Sequence, residues 1–371
     1  MKRVSVITIL DNNNYGTFLQ AFALCKVLET YGWVPELVDY CRPHAKPLTS
    51  WLQMCKEVKN PLRIISRTRG YIRSTALHRK DRLFVKPYLS PRICYSVEDI
   101  RNSITVADVY MTGSDQVWNS IHNRGIDKAF FLAYAPEGAK KISYAASVGM
   151  PEFKEWEKNE TKSLLEQYCH ITLREESAIN LLGSLGLDTS KLKSVLDPTL
   201  LLDKNQWEKY INRPRLHEEK YLLVYSVETK AQDALINSVA EKVAKDNGLK
   251  IVGVYYGGKY NRIMCCDYNH FYATPDEFLS LIYYADFTVV SSFHGTAFSI
   301  TFEKDFFTIM PDRFNSRVNN LLQISGLENR MIKSSNIEKL PDYTIDYSNV
   351  REKIKVEREQ STVVLNEMLE N

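Results

Sequence analysis

Apolar positions along this chain recur with two different spacings, and the two alternate. Residues 4–10, 34–40, 109–112, 141–149, 171–173, 221–226, 250–256, 287–290 and 306–309 are short runs rich in β-branched, aromatic and aliphatic residues. The clearest of them are apolar on both faces, which suits strands of a parallel sheet covered on both sides. Residues 194–200 read as a strand and turn. Between the runs the spacing becomes helical. In 17–31 the residues Leu19, Phe22, Ala23, Val27, Leu28 and Tyr31 form one apolar stripe. Residues 152–168, 177–185, 203–210, 229–246 and the end of 313–325 follow the same period. Thr274-Pro275-Asp276-Glu277 is a capped helix start with proline at the first helical position. Strands alternating with helices predict an α/β protein of βαβ units. The polar, proline-containing stretch 212–219 divides it. The expected organisation is a Rossmann-like domain over 1–211, a second over 212–345, and a C-terminal helix over 346–371 that packs back across the boundary.

One stretch concentrates the chemistry. Residues 287–290 form a buried strand, followed by Ser291-Ser292-Phe293-His294-Gly295 and a helical pattern from Thr296. The turn of such a unit lies at the carboxyl end of the strand, where open α/β sheets bind ligands. The first turn of the helix offers unpaired N–H groups and a partial positive charge, a seat for phosphate or carboxylate. His294 there would bind the anion or move a proton. A plainer reading stands beside it. Ser291 and Ser292 cap the helix, His294 is a satisfied half-buried residue, and Gly295 lets the turn close. Polar groups recur at other strand ends: Asn14-Tyr15-Gly16, Ser114-Asp115-Gln116 and Arg174-Glu175. Two α/β domains with facing strand ends form a cleft, a favoured ligand site. Arg174 presents a fork suited to an anion, or is tied up by Glu175, Glu176 or a buried aspartate. Asp115 is a base for a hydroxyl or the cap of a helix beginning at Gln116-Val117. Asp197-Pro198 reads as a structural turn. Lys304, Arg313 and Arg317 add positive charge near the histidine, with surface solvation as the alternative.

Composition narrows the classes. The 371 residues suffice for about two domains. With 44% hydrophobic and 25% charged residues, the composition is that of a globular protein. The net charge of +3 is too small to argue for nucleic acid. Its distribution is uneven, however. Residues 42–92 hold 13 Lys and Arg against 2 Asp and Glu, a net of +11, which leaves −8 for the remainder. That segment also carries Trp51, Leu52, Leu62, Ile64, Ile65, Tyr71 and Ile72, and Pro61 interrupts any helix through it. It reads as a basic helical insertion suited to a membrane interface, a diphosphate lipid or a charged glycan, or as a solvated excursion. No nucleic-acid reader motif accompanies it.

The seven cysteines form no C-x-x-C pair and the seven histidines no H-x-x-x-H pair, so no metal site is expected. Reduced thiols predict a cytoplasmic protein, with the inner face of a membrane as a peripheral location. Lys2-Arg3 and the short apolar run after it resemble the start of a signal peptide. Asp11-Asn12-Asn13-Asn14 stops the run without a cleavage site, and no run is long enough to span a membrane.

Five motifs occur in order at domain-scale spacing. They are Asn14-Tyr15-Gly16-Thr17-Phe18-Leu19-Gln20-Ala21-Phe22-Ala23-Leu24, Gly113-Ser114-Asp115-Gln116-Val117-Trp118-Asn119, Arg174-Glu175-Glu176-Ser177, Asp197-Pro198-Thr199-Leu200-Leu201 and Ser291-Ser292-Phe293-His294-Gly295-Thr296-Ala297. Together, from about residue 5 to residue 330, they resemble the polysaccharide pyruvyltransferase family. Glu303-Lys304-Asp305-Phe306 departs from that family's usual Gly-Lys-Pro-Phe. The resemblance implies an architecture like the two-domain GT-B glycosyltransferases. It implies transfer of an enolpyruvyl-derived group from phosphoenolpyruvate onto two hydroxyls of one sugar, giving a cyclic ketal and phosphate. No cofactor is implied beyond that donor, and the acceptor is a glycan or a lipid-linked oligosaccharide. The donor-binding arginine maps onto Arg174 and the active-site histidine onto His294. The chemistry then expects His294 as the acid or a donor-phosphate ligand and Arg174 as the carboxylate or phosphate clamp, with Asp115, from its residue type and not from the resemblance, as a hydroxyl base. Ser291, Ser292, Gly295, Asn14, Tyr15, Gly16, Ser114, Gln116 and Arg317 complete the expected binding site. The alternatives are a nucleotide-sugar-dependent glycosyltransferase using the same cleft, and a non-catalytic module binding anionic glycan or lipid through 42–92.

Overall fold

The computed structural model describes residues 1–11, 14–57, 61–227, 233–256, 265–310, 316–333, 337 and 340–371. Among the described residues, twelve strands form two parallel six-stranded sheets. The first holds β1 (Arg3–Ile7), β2 (Val34–Leu37), β3 (Val109–Thr112), β4 (Lys140–Ala146), β5 (His170–Leu173) and β6 (Leu192–Ser194), in the order β2-β1-β3-β4-β5-β6. The second holds β7 (Tyr221–Tyr225), β8 (Lys250–Val254), β9 (Tyr268–His270), β10 (Phe287–Val290), β11 (Asp305–Ile309) and β12 (Met331–Ile332), in the order β12-β11-β10-β7-β8-β9. Stretch 212–219 joins them without a helix or strand.

Each sheet has one switch point, where successive crossovers leave in opposite directions and a crevice opens at the carboxyl ends. In the first it lies between β1 and β3, paired with Val4 opposite Val109. In the second it lies between β7 and β10, paired with Phe287 opposite Leu222. The helix after β1 is α1 (Tyr15–Thr30). The basic insertion follows β2 as α2 (Pro47–Glu57) and α3 (Pro61–Val85), so the helical pattern is divided before Pro61, which opens α3. Next come α4 (Val97–Arg101), α5 (Ser120–Asn123), α6 (Glu155–Leu165), α7 (Glu176–Gly183), α8 (Pro198–Leu201) and α9 (Lys204–Glu208). The second sheet carries α10 (Asp233–Asn247), α11 (Pro275–Tyr283), α12 (Phe293–Thr301) and α13 (Ser316–Ser325). The chain closes with α14 (Tyr347–Glu370).

Helix α1 is buried almost all round from Tyr15 to Leu28, because both halves cover it. One core cluster contains Phe18 and Phe22 of α1 together with Trp207, Phe278 and Phe298. The Tyr15 ring stacks on Phe278 at 4.8 Å, and its hydroxyl donates to the Tyr255 carbonyl at 2.9 Å. Helix α14 leaves the second half and returns to the first. There Ser361 Oγ accepts from the Leu196 amide at 2.9 Å, and Arg358 Nε donates to the Leu200 carbonyl at 2.7 Å.

Local expectations change at three places. Residues 194–200, expected as strand and turn, hold only the end of β6 at Ser194, and Asp197 caps the short helix α8 instead of making a turn. The helix expected from Thr296 begins at Phe293, because Ser292 Oγ accepts from the Gly295 amide at 3.0 Å and caps it. His294 therefore sits in the first turn. No helix starts at Gln116. Asp115 has φ +77°, in the left-handed region, whereas a capping residue needs extended backbone. Asn119 is the cap, and the helix that follows is α5.

Candidate active site

The site gathers where the two switch points face each other. From the first sheet, β3 runs into Ser114 and Asp115, β5 into Arg174, and the chain after β6 into Asp197. Thr8 Oγ1 donates to the Ser114 carbonyl at 2.6 Å and is itself held by Gln20 Nε2 at 3.0 Å. The strained Asp115 is locked by its own carbonyl, which accepts from the Val117 and Ser147 amides at 2.8 and 3.0 Å.

Asp197 is the centre of the cluster. Its Oδ1 accepts from the Thr199 amide and hydroxyl at 3.0 and 2.7 Å, capping α8. Its Oδ2 accepts from Ser114 Oγ at 2.7 Å and from Arg174 Nη1 at 3.0 Å. Arg174 Nη2 lies 3.6 Å from Asp115 Oδ1. His294 Nε2 lies 3.8 Å from Asp197 Oδ2, beyond hydrogen-bond reach. The Arg174 guanidinium rests over the Phe293 ring at 4.7 Å, and that ring belongs to the second half. Arg317, near the start of α13, brings its Nη atoms within 3.0 and 3.2 Å of the Gln116 side-chain amide.

Electrostatics follow from burial against these partners. Burial would raise the Asp197 carboxyl, but His294 and Arg174 hold it well below the usual carboxylate range. Asp115 is likewise lowered against its burial, by Arg174 first, then His294 and Arg317. Burial works against the charge on Arg174, yet Asp197, Asp115 and Glu175 keep its pKa raised. Arg317 is brought down to about 10 by burial and by repulsion from Arg174. Several buried atoms here have no hydrogen-bond partner among the described residues: Arg174 Nε and Nη2, Arg317 Nε, His294 Nε2 and Glu175 Oε2. Three of these five belong to guanidinium donors, and an anion would satisfy them.

Two helix N-termini reach the same place, and neither has an acidic residue in its first turn. Asn14 caps α1 by accepting from the Gly16 amide at 2.9 Å, and its Oδ1 also accepts from the Tyr225 hydroxyl at 3.1 Å. A Cβ on Gly16 would lie 2.1 Å from His294 Nδ1, so only glycine lets α1 approach the imidazole.

The cluster thus unites Arg174, His294, Asp115, Ser114, Gln116 and Arg317 with the Asn14 cap and Gly16 of α1; the Tyr15 side chain, expected in the binding site, is instead buried in the shared core against Phe278 and the Tyr255 carbonyl. Ser292 and Gly295 hold the start of α12, as the plainer reading had it. Ser291 Oγ is buried 2.9 Å from Ser226 Oγ. Arg174 is tied to a buried aspartate, one of the two alternatives, and still keeps donors without partners. Lys304 stands at the amino end of β11, away from these carboxyl-edge groups, with its nitrogen 5.6 Å from the Tyr283 ring centre. Arg313 lies outside the described residues. Asp197 is the residue that sequence reasoning under-weighted: Asp197-Pro198 read as a structural turn, and nothing in the sequence brings Arg174 to its carboxylate. Phe293 beneath Arg174 was equally hidden. Among the described residues, no group of three or more His, Cys, Asp or Glu could hold a metal ion.

Two parallel sheets of Rossmann type, with helices on their faces and a cleft between their carboxyl edges, define a two-domain α/β protein of the GT-B kind. Residues 14–313 match the family described as polysaccharide pyruvyl transferase, and the chain belongs to that family of transferases. No curated protein sequence matches it at a significant level. Among solved structures, it is similar to UDP-GlcNAc 2-epimerase from Neisseria meningitidis, bound to UDP-GlcNAc. The TM-score is 0.50 at 11% identity, covering 100% of both chains. It is similar also to UDP-GlcNAc 2-epimerase from Methanocaldococcus jannaschii, with TM-score 0.50 and 12% identity over 96% of this chain and 92% of that one. At such identity the likeness is one of fold.

Proposed function

We propose that the protein transfers the pyruvate moiety of phosphoenolpyruvate onto a sugar of a cell-surface polysaccharide, or of its lipid-linked precursor, as a cyclic ketal. The observation that carries this reading is the meeting of Arg174, Arg317 and His294 from opposite halves, with guanidinium donors that lack hydrogen-bond partners among the described residues. Phosphoenolpyruvate bears a carboxylate and a phosphate on three carbons, so two cationic forks and two helix N-termini match its charge. In the reaction two hydroxyl oxygens bond to C2 of the donor and the C2–O bond to phosphate breaks. One hydroxyl proton ends on the methylene carbon, making the methyl group, and the other leaves with phosphate. His294 delivers the proton or grips the phosphate. Asp115, kept anionic by its cationic neighbours, accepts a proton from an attacking hydroxyl.

The test is incubation of the purified protein with phosphoenolpyruvate and candidate glycans, read by phosphate release and a mass gain of one pyruvate ketal. His294→Ala is expected to lose about 10²–10⁴-fold in turnover while its melting curve is retained. Turnover with a sugar nucleotide instead, or a fully active His294→Ala, would overturn the assignment.

A further inference from the structure

We infer that the outer face of α3 docks the protein onto an anionic lipid bilayer. Helix α3 has two unlike faces. Inward it buries Leu77, Asp81 and Val85. Outward, Ile65, Ile72 and Leu83 are 53, 61 and 62% exposed. They stand at spacings of seven and eleven residues, which at 3.6 residues per turn brings all three onto one line. Ala76 is exposed on that line, with Arg69, Arg73 and Lys80 on one side and Arg79 on the other, all exposed. The stripe is about 27 Å long at 1.5 Å per residue. The sole acidic residue of α3 is Asp81, and it faces inward, so no carboxylate of the helix opposes the cations.

Solvent gains nothing from large aliphatic side chains held in a row, and exposed apolar rows bordered by charge mark interaction surfaces. The order matters here: apolar residues at the crest and long cations at the flanks. Inserted at a lipid interface, the aliphatic groups enter the acyl boundary while the cations reach headgroup phosphates. A second copy of this face would bring like charges together, which argues against self-association. Helix α3 packs inward against α1, the helix whose first turn reaches His294. The inference stands on α3 alone and goes beyond the proposed reaction.

The experiment is co-sedimentation of the full chain with vesicles of phosphatidylcholine, alone and with phosphatidylglycerol, across a salt series. The protein is expected to bind the mixed vesicles, to bind neutral vesicles at least tenfold more weakly, and to lose affinity as salt rises. Replacing Arg69, Arg73 and Arg79 with alanine should weaken binding about fivefold per residue. The triple variant Ile65→Ser, Ile72→Ser, Leu83→Ser should lose at least tenfold at unchanged charge and unchanged melting temperature. Turnover of a soluble acceptor should be unaffected in both variants, and vesicle binding needs no turnover at all. Absence of binding to mixed vesicles would overturn the inference. So would equal binding to neutral vesicles, or binding that matches soluble heparin and ignores the serine substitutions.

Discussion

Asp197 shares one carboxylate among Ser114, Thr199 and Arg174, with His294 close by. Removing its charge leaves a buried guanidinium with Asp115 at 3.6 Å as its nearest counter-charge. Asp197→Asn should therefore cost about 3–5 kcal/mol in a urea melt. The pH dependence follows from the depressed pKa. The Asp197 carboxylate stabilises the fold above its unfolded value near 4, and that contribution is lost as pH falls below it. The asparagine variant should show a flatter acid limb; parallel limbs would contradict this. Gly16→Ala probes the other side of the imidazole. Its methyl would meet Nδ1, and displacing a reacting group by about 1 Å can cost about 10²-fold in turnover. Normal turnover in that variant would separate His294 from the chemistry. At this scale much of the site was legible: His294, Arg174 and Asp115 announce themselves by type and by position at strand ends. Their meeting was not. Contact between Arg174 and Asp197, or between Phe293 and Arg174, is set by sheet order, which local spacing does not encode.

Among the elements, β3 and β10 were legible to the residue because buried parallel strands are apolar on both faces. β9 and β12 were not, being three and two residues long. The start of α12 was misplaced by one turn because Phe293-His294-Gly295 reads as a loop, whereas the Ser292 cap draws these residues into the first turn. Helix α3 was legible as a basic helix, but its inner face was not. There Asp81 is fully buried against the Tyr256 hydroxyl of the second half, and burial pushes its carboxyl up to about 7. A raised carboxyl pKa contributes stability fully below its unfolded value near 4, and loses it as pH rises through about 7. Asp81→Asn should thus gain on the natural protein across that window, by about 1–4 kcal/mol at pH 8. Urea melts at pH 4 and pH 8 check it, and an equal difference at both would contradict it.

For the whole molecule, the shared core around α1 and the return of α14 tie the two sheets into one unit. The chain is expected to melt in a single calorimetric transition, and two resolved transitions would mean that the halves fold separately. The pattern of alternating strands and helices made two sheets legible. It left open how they face each other, because that orientation comes from the aromatic cluster of Tyr15, Tyr225 and Phe278.

The most direct measurement is a calorimetric titration of phosphoenolpyruvate into the natural protein, Arg174→Lys, Arg317→Ala and the double variant. One donor gripped from both halves predicts one site per chain and at least tenfold weakening in each single variant. It also predicts a double variant that departs from additivity by about 0.5–3 kcal/mol. No binding to the natural protein, or affinity indifferent to Arg317, would contradict a cleft that holds its donor from both sides.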